Sequence, residues 1–160
     1  MDEGARQREQ NQQVLIRLFA HLNAREYEAA LELFADDLLW EMPFAPPALH
    51  APFNRARFGK LLRSFPLVFS RGLTFDDLKF TPMFDPDQFL LDYRGEAVMA
   101  ATGQPYRNTY VGIFELSGGR IIHTPRVLRF GGCNPRLWMA AGMTEHDPAR
   151  LGEGRAFEQG

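Results

Sequence analysis

The order of hydrophobic periodicities predicts an α+β fold in which three N-terminal helices pack on one face of a curved, mostly antiparallel sheet. Three observations carry that expectation. As far as Phe65, apolar residues recur mainly at helical spacing. From Leu73 onward the chain breaks instead into four strand-like segments separated by turn residues. Between these regions, Leu38 to Pro43 reads as a short strand closed by a proline, which has no N–H to give to a sheet ladder. Helices followed by a run of strands segregate to one side of an antiparallel sheet.

Each element has its own signal. Residues 5–22 form a first helix whose stripe is Val14, Leu15, Leu18, Phe19 and Leu22. A second covers about 25–35, with Tyr27, Ala30, Leu31 and Phe34 in period until Asp36 and Asp37 break it. The strand near 38–43 leads into a proline-rich arch through Phe53 that cannot easily be helical. Asn54 caps a third helix over 55–65, which must stop before Pro66 because the residue preceding proline avoids the helical region. The four later strands are separated by turns at Asp85-Pro86-Asp87, Thr102 to Pro105 and Ser117 to Arg120. Gly95 and Gly112 mark bends. Asn134-Pro135 opens a short helix closed by Gly142, and residues 144–160 form a polar tail after a domain spanning 1–143. Several strands are apolar on both faces, as where Val111 and Ile113 alternate with Tyr110 and Phe114. The outer face is therefore expected to be covered by a second copy, giving a sheet-to-sheet homodimer.

Bulk properties exclude several partners. A chain of 160 residues holds about one domain with room for one pocket. Its net charge of −2 and lack of basic runs give no field for nucleic acid. The lone Cys133 rules out an internal disulfide and suits a reducing cytoplasm. No apolar run approaches the roughly 20 residues of a membrane span, and the first residues are too polar for a signal peptide. The expectation is a soluble cytoplasmic protein. With 14 phenylalanines and two tryptophans, rings can line a pocket as well as fill a core.

Side chains just before the strand-ending proline tend to stand at a cavity wall, so Trp40, Glu41 and Met42 are the first candidates, with ordinary wall packing as the alternative. Strand alternation points Glu41 away from the pocket unless the strand end twists. His50, in the arch, is a general base or substrate contact if it lies at the pocket mouth, and a solvated loop residue otherwise. Tyr93, Asn108 and Tyr110 carry polar tips on central strands, suited to orienting a carbonyl or to satisfying one another. Phe114 and Leu128 join them as apolar wall. His123 lies in opposite parity to Arg126 and should face outward. No His-x-His, His-x-x-x-His or paired-cysteine spacing occurs, so no metal site is expected.

The ordering of these elements resembles the nuclear transport factor 2-like superfold, and the run from Leu22 to Pro43 looks like its SnoaL-like branch of small cyclases, isomerases and dehydratases. The segments 85–98, 108–121 and 133–137 are similar to the phenazine-biosynthesis A/B family, whose Asn-x-Tyr strand Asn108 and Tyr110 match. The resemblance covers roughly residues 10–143. It implies a cone-shaped homodimer, each subunit with one deep pocket acting without metal or organic cofactor on a small cyclic carbonyl compound or aromatic acid. It also implies two departures. Relatives that shift protons beside a carbonyl place a carboxylate where this chain has Met42, and a thioether cannot take a proton. The acid/base glutamate of the phenazine A/B proteins is replaced by Arg126, which stays charged and can hold an anion, or pair with Asp92 or Glu96, but cannot shuttle protons. The resemblance thus leaves proton movement to His50 or Glu41. A ligand-binding or dimerisation domain without catalysis is the rival reading.

Overall fold

Among the described residues, three helices and five strands follow one another as α1 (Glu3–Ala24), α2 (Tyr27–Leu31), β1 (Phe34–Trp40), α3 (Arg55–Val68), β2 (Thr74–Pro82), β3 (Gln88–Val98), β4 (Pro105–Ser117) and β5 (Arg120–Phe130). The computed structural model describes residues 2–42 and 50–130, with 125–130 as backbone only. One sheet holds all five strands in the order β1-β5-β4-β3-β2, antiparallel except where β1 runs parallel to β5. The helices cover its inner face, so the expected α+β layering is present.

α1 buries the stripe Val14, Leu15, Leu18, Phe19 and Leu22. Phe19 meets the rings of Phe75, Tyr93 and Phe114 edge-on, and so fixes the helix across three strands. Asn11 lies in the same buried row at 1% exposure. Its Nδ2 donates to Asp87 Oδ1 at 2.7 Å and to the Pro86 carbonyl at 3.3 Å, tying α1 to the β2–β3 turn. The helix ends with Arg25 in the left-handed region, φ 62°, where the Glu26 N–H reaches the His21 carbonyl and the Arg25 N–H that of Leu22.

Three elements differ in their bounds from those expected. The second helix is a short turn over Tyr27–Leu31, and β1 begins at Phe34 rather than near residue 38. Asp36 and Asp37, read as helix breakers, lie within that strand. Pairing explains this: Phe34 is fully buried opposite Ile121, while both aspartates stay exposed on an edge strand whose register shifts between Phe34 and Leu39. The third helix was expected to stop before Pro66 yet runs on to Val68. Pro66 cannot donate to the Leu62 carbonyl, but burial of Val68 and Phe69 keeps the last turn wound. The cap expected at Asn54 is present, its side chain accepting from the Arg57 N–H at 2.8 Å.

The later strands and their turns follow the expected order. Gly118 (φ 56°) and Gly119 (φ 76°) form the two-residue β4–β5 turn, which requires positive φ at both positions. Backbone pairing of Trp40 with Phe53, at 2.9 and 2.8 Å, closes the loop that holds the prolines. Pro43 to Leu49, the helix expected after Asn134-Pro135, the 143/144 boundary and the polar tail lie outside the described residues. No described helix is long and apolar enough to cross a membrane.

Candidate functional site

The inner face of the sheet positions most of the candidate residues. Alternation sends Phe89, Leu91 and Tyr93 of β3 and Tyr106, Asn108 and Phe114 of β4 toward the helices, all of them buried. Tyr93 stands opposite Tyr110 in register, and their rings stack at 5.1 Å with 16° between planes. Gly95 faces Asn108 across the same strand pair. A Cβ at Gly95 would sit 2.8 Å from the Tyr110 ring, so the glycine read as a bend is required here by close approach.

The polar tips on this face are specific. Tyr106 and Tyr110 bring their hydroxyls to 2.6 Å. Burial, with Tyr110 beside it, pushes the Tyr93 hydroxyl well above the usual tyrosine range, so Tyr93 stays neutral and serves only as a hydroxyl. Asn108 is 5% exposed, and its Oδ1 has no hydrogen-bond partner among the described residues. Tyr106 escaped the sequence reading, although its parity with Asn108 and Tyr110 could have found it.

Across the sheet, the β1 and β5 pair contributes a second polar group inside an aromatic cluster. Trp40 stacks on Phe58 at 4.3 Å and 22°, with Phe34 and Phe114 edge-on at 5.8 and 5.9 Å. Trp40 and Thr124 are register partners, and both side chains are buried. Neither Trp40 Nε1 nor Thr124 Oγ1 has a partner among the described residues. Met42 is partly buried against the hydrophobic core. Thr124 was missed because β5 carries extra residues against β4. Its register shifts on either side of the Glu115 and His123 pair, so Ile121 and Thr124, three positions apart, are both fully buried. Parity counted along β5 therefore cannot assign Arg126 relative to His123.

Glu41 lies with His123 on the outer face. His123 Nε2 stands 3.2 Å from Glu41 Oε2, and Nδ1 stands 3.5 Å from Glu115 Oε2. Glu115 alternates with the buried Phe114 and Leu116, which sets this group opposite the helices and apart from the inner row. His50 is exposed, three positions before Phe53. In the backbone register Arg126 pairs with Ile113 and Leu128 with Val111; their side chains lie outside the described residues. Among the described residues, no group of three or more His, Cys, Asp and Glu side chains is arranged to hold a metal ion.

A short helical layer over a five-stranded sheet with an aromatic inner face is the architecture of the nuclear transport factor 2-like class, and solved structures agree. A Bacillus subtilis protein proposed to be an isomerase superposes with a TM-score of 0.71 at 20% identity, over 86% of this chain and 96% of its own. A phenazine biosynthesis-related protein from Pseudomonas aeruginosa gives 0.67 at 16% identity, over 80% and 84%. A Xanthomonas campestris protein proposed to be a polyketide cyclase gives 0.66 at 19%, over 84% and 98%. At such identities the likeness is one of fold. No curated protein matches the sequence. The family model of the SnoaL-like domain matches residues 15–124, more than half of the chain, and the chain belongs to that family.

Proposed function

We propose that the inner face of the sheet binds a small cyclic or aromatic carbonyl compound in one pocket of a cone-shaped subunit, and that the protein acts on it as a cofactor-independent isomerase or cyclase. One observation carries this reading. Asn108 Oδ1 is buried without a partner among the described residues, on the same face of β4 as Tyr106 and Tyr110, whose hydroxyls meet. Buried acceptors are nearly always paired, and one left open among aromatic rings is a place for a ligand hydroxyl, so the compound carries a hydroxyl besides its carbonyl. Family membership supports the same reading, since two structural neighbours bear names from cyclase and phenazine chemistry. Catalysis on such a face works by orientation, with neutral hydroxyls placing the ligand and few groups moving protons. His50 is the candidate proton carrier at the mouth, and Arg126 the candidate for an anionic substituent.

A second reading, a ligand-binding domain without turnover, is favoured by Met42, whose thioether stands where a carboxylate would take the proton. One experiment separates the two. Cyclohexenone carboxylic acids and aromatic acids are titrated against the wild type, Asn108→Leu and Arg126→Ala, and exchange of the protons next to the carbonyl into D2O is followed by NMR. Binding with exchange supports the enzyme, and binding without exchange supports the binder. Affinity unchanged in Asn108→Leu removes the inner-face site.

A further inference from the structure

We propose that Trp40 and Thr124 form a donor pair that holds a single acceptor oxygen of the ligand, the oxygen of a ketone or of the enolate it becomes. The proposal rests on the inner-face ligand site above and names the chemistry at its β1 and β5 side. The two residues are partners in the parallel register, on the same face and both buried, and each carries a polar atom with no partner among the described residues. An indole Nε1–H can only donate, and a threonine hydroxyl can donate while its Cβ branching restricts its rotamers. Neighbouring unpaired donors on one face call for a shared acceptor, because a buried donor without one is destabilising.

The setting also suits the role. Trp40 is clamped by its stack on Phe58 and by edge contacts with Phe34 and Phe114, so its N–H direction is fixed before any ligand arrives. Thr124 is fixed by the strand ladder. Preset donors in an apolar surround stabilise charge that develops on an oxygen more than they stabilise the neutral carbonyl, which favours enolisable ketones over alcohols or hydrocarbons of the same shape. Neither group moves a proton, so the pair binds and polarises.

The test compares 2-acetylnaphthalene with 2-isopropenylnaphthalene, which has the same outline but no acceptor oxygen. Wild type should bind the ketone on the order of tenfold tighter. Trp40→Phe and Thr124→Val should each remove much of that preference, whereas Thr124→Ser, which keeps the hydroxyl, should retain it. A 13C label on the carbonyl gives a readout without any variant: its resonance should move downfield on binding to the wild type. Equal affinity for the two probes, or an unmoved resonance, overturns the donor pair while leaving the ligand site standing. Failure of both probes to bind overturns the donor pair, and unchanged affinity of the cyclic acids in Asn108→Leu overturns the ligand site separately.

Discussion

At the scale of single residues, the polar atoms left open inside the protein separate function from stability. Thr124 is completely buried, and its hydroxyl has no partner among the described residues. Removing an unpaired buried hydroxyl while keeping nearly the same shape relieves a desolvation penalty of about 1 kcal/mol. Thr124→Val should therefore raise the melting temperature of the ligand-free protein by about 2–4 °C, read by calorimetry. The same variant should bind the ketone probe less selectively. A drop in melting temperature would show that the hydroxyl is satisfied in solution and stabilises the fold. Asn11 is the contrasting case, equally buried but bonded to Asp87 and Pro86. Its Nδ2 is a structural tie, and Asn11→Ala should cost about 2 kcal/mol by leaving Asp87 without that donor, seen as a lower urea midpoint.

At the scale of elements, local chemistry made most of the architecture legible and tertiary packing decided the rest. The α1 stripe, the Asn54 cap and the glycine turn at 118–119 each depend on neighbours a few residues away, and each was readable. The cap is also measurable: Asn54→Ala should lose about 1 kcal/mol, and Asn54→Asp should lose almost none. The ends of α3 and β1 were misread because distant partners set them. Burial of Val68 and Phe69 outweighs the missing N–H of Pro66, and pairing of Phe34 with Ile121 draws the aspartates into a strand. The candidate site was legible where strands alternate cleanly, as for Tyr93, Asn108, Tyr110 and Phe114. It was lost on β5, where the register shifts around His123 hide Thr124. Gly95 combines both lessons. Gly95→Ala should force the Tyr110 ring off its stack on Tyr93, lowering stability and disturbing the Tyr106 and Tyr110 hydroxyl pair together. A near-ultraviolet circular dichroism spectrum unchanged from wild type would contradict that coupling.

At the scale of the whole molecule, the sheet has two faces with different surroundings. The inner face is covered by helices and carries Trp40, Asn108 and Thr124, three of the four residues with a buried polar atom unpartnered among the described residues. The outer face carries Leu90 beside Ile113, with Val111 opposite Asp92 in the next row and Leu39 at 40% exposure toward the edge. Charged pairs surround that apolar strip, including Arg94 with Asp76 and Arg107 with Glu96, and His123 sits between Glu41 and Glu115 near its β1 side. An apolar centre with a charged rim is how a self-associating surface is built. A two-fold axis through this strip would set each copy's apolar row against the other's while leaving the rims hydrated. The expected particle in solution is a dimer of twice 18.3 kDa, measured by light scattering on the size-exclusion peak. Ile113→Arg would place two like charges at the centre of that contact and should shift the peak to the monomer. Leu67→Arg serves as the control, because Leu67 is 80% exposed on α3 rather than on the sheet, and its mass should not change. A wild type that stays monomeric at tens of micromolar would leave the outer strip without this role. A monomeric Ile113→Arg variant that still binds the ketone probe would show that each subunit's inner face is a complete site by itself.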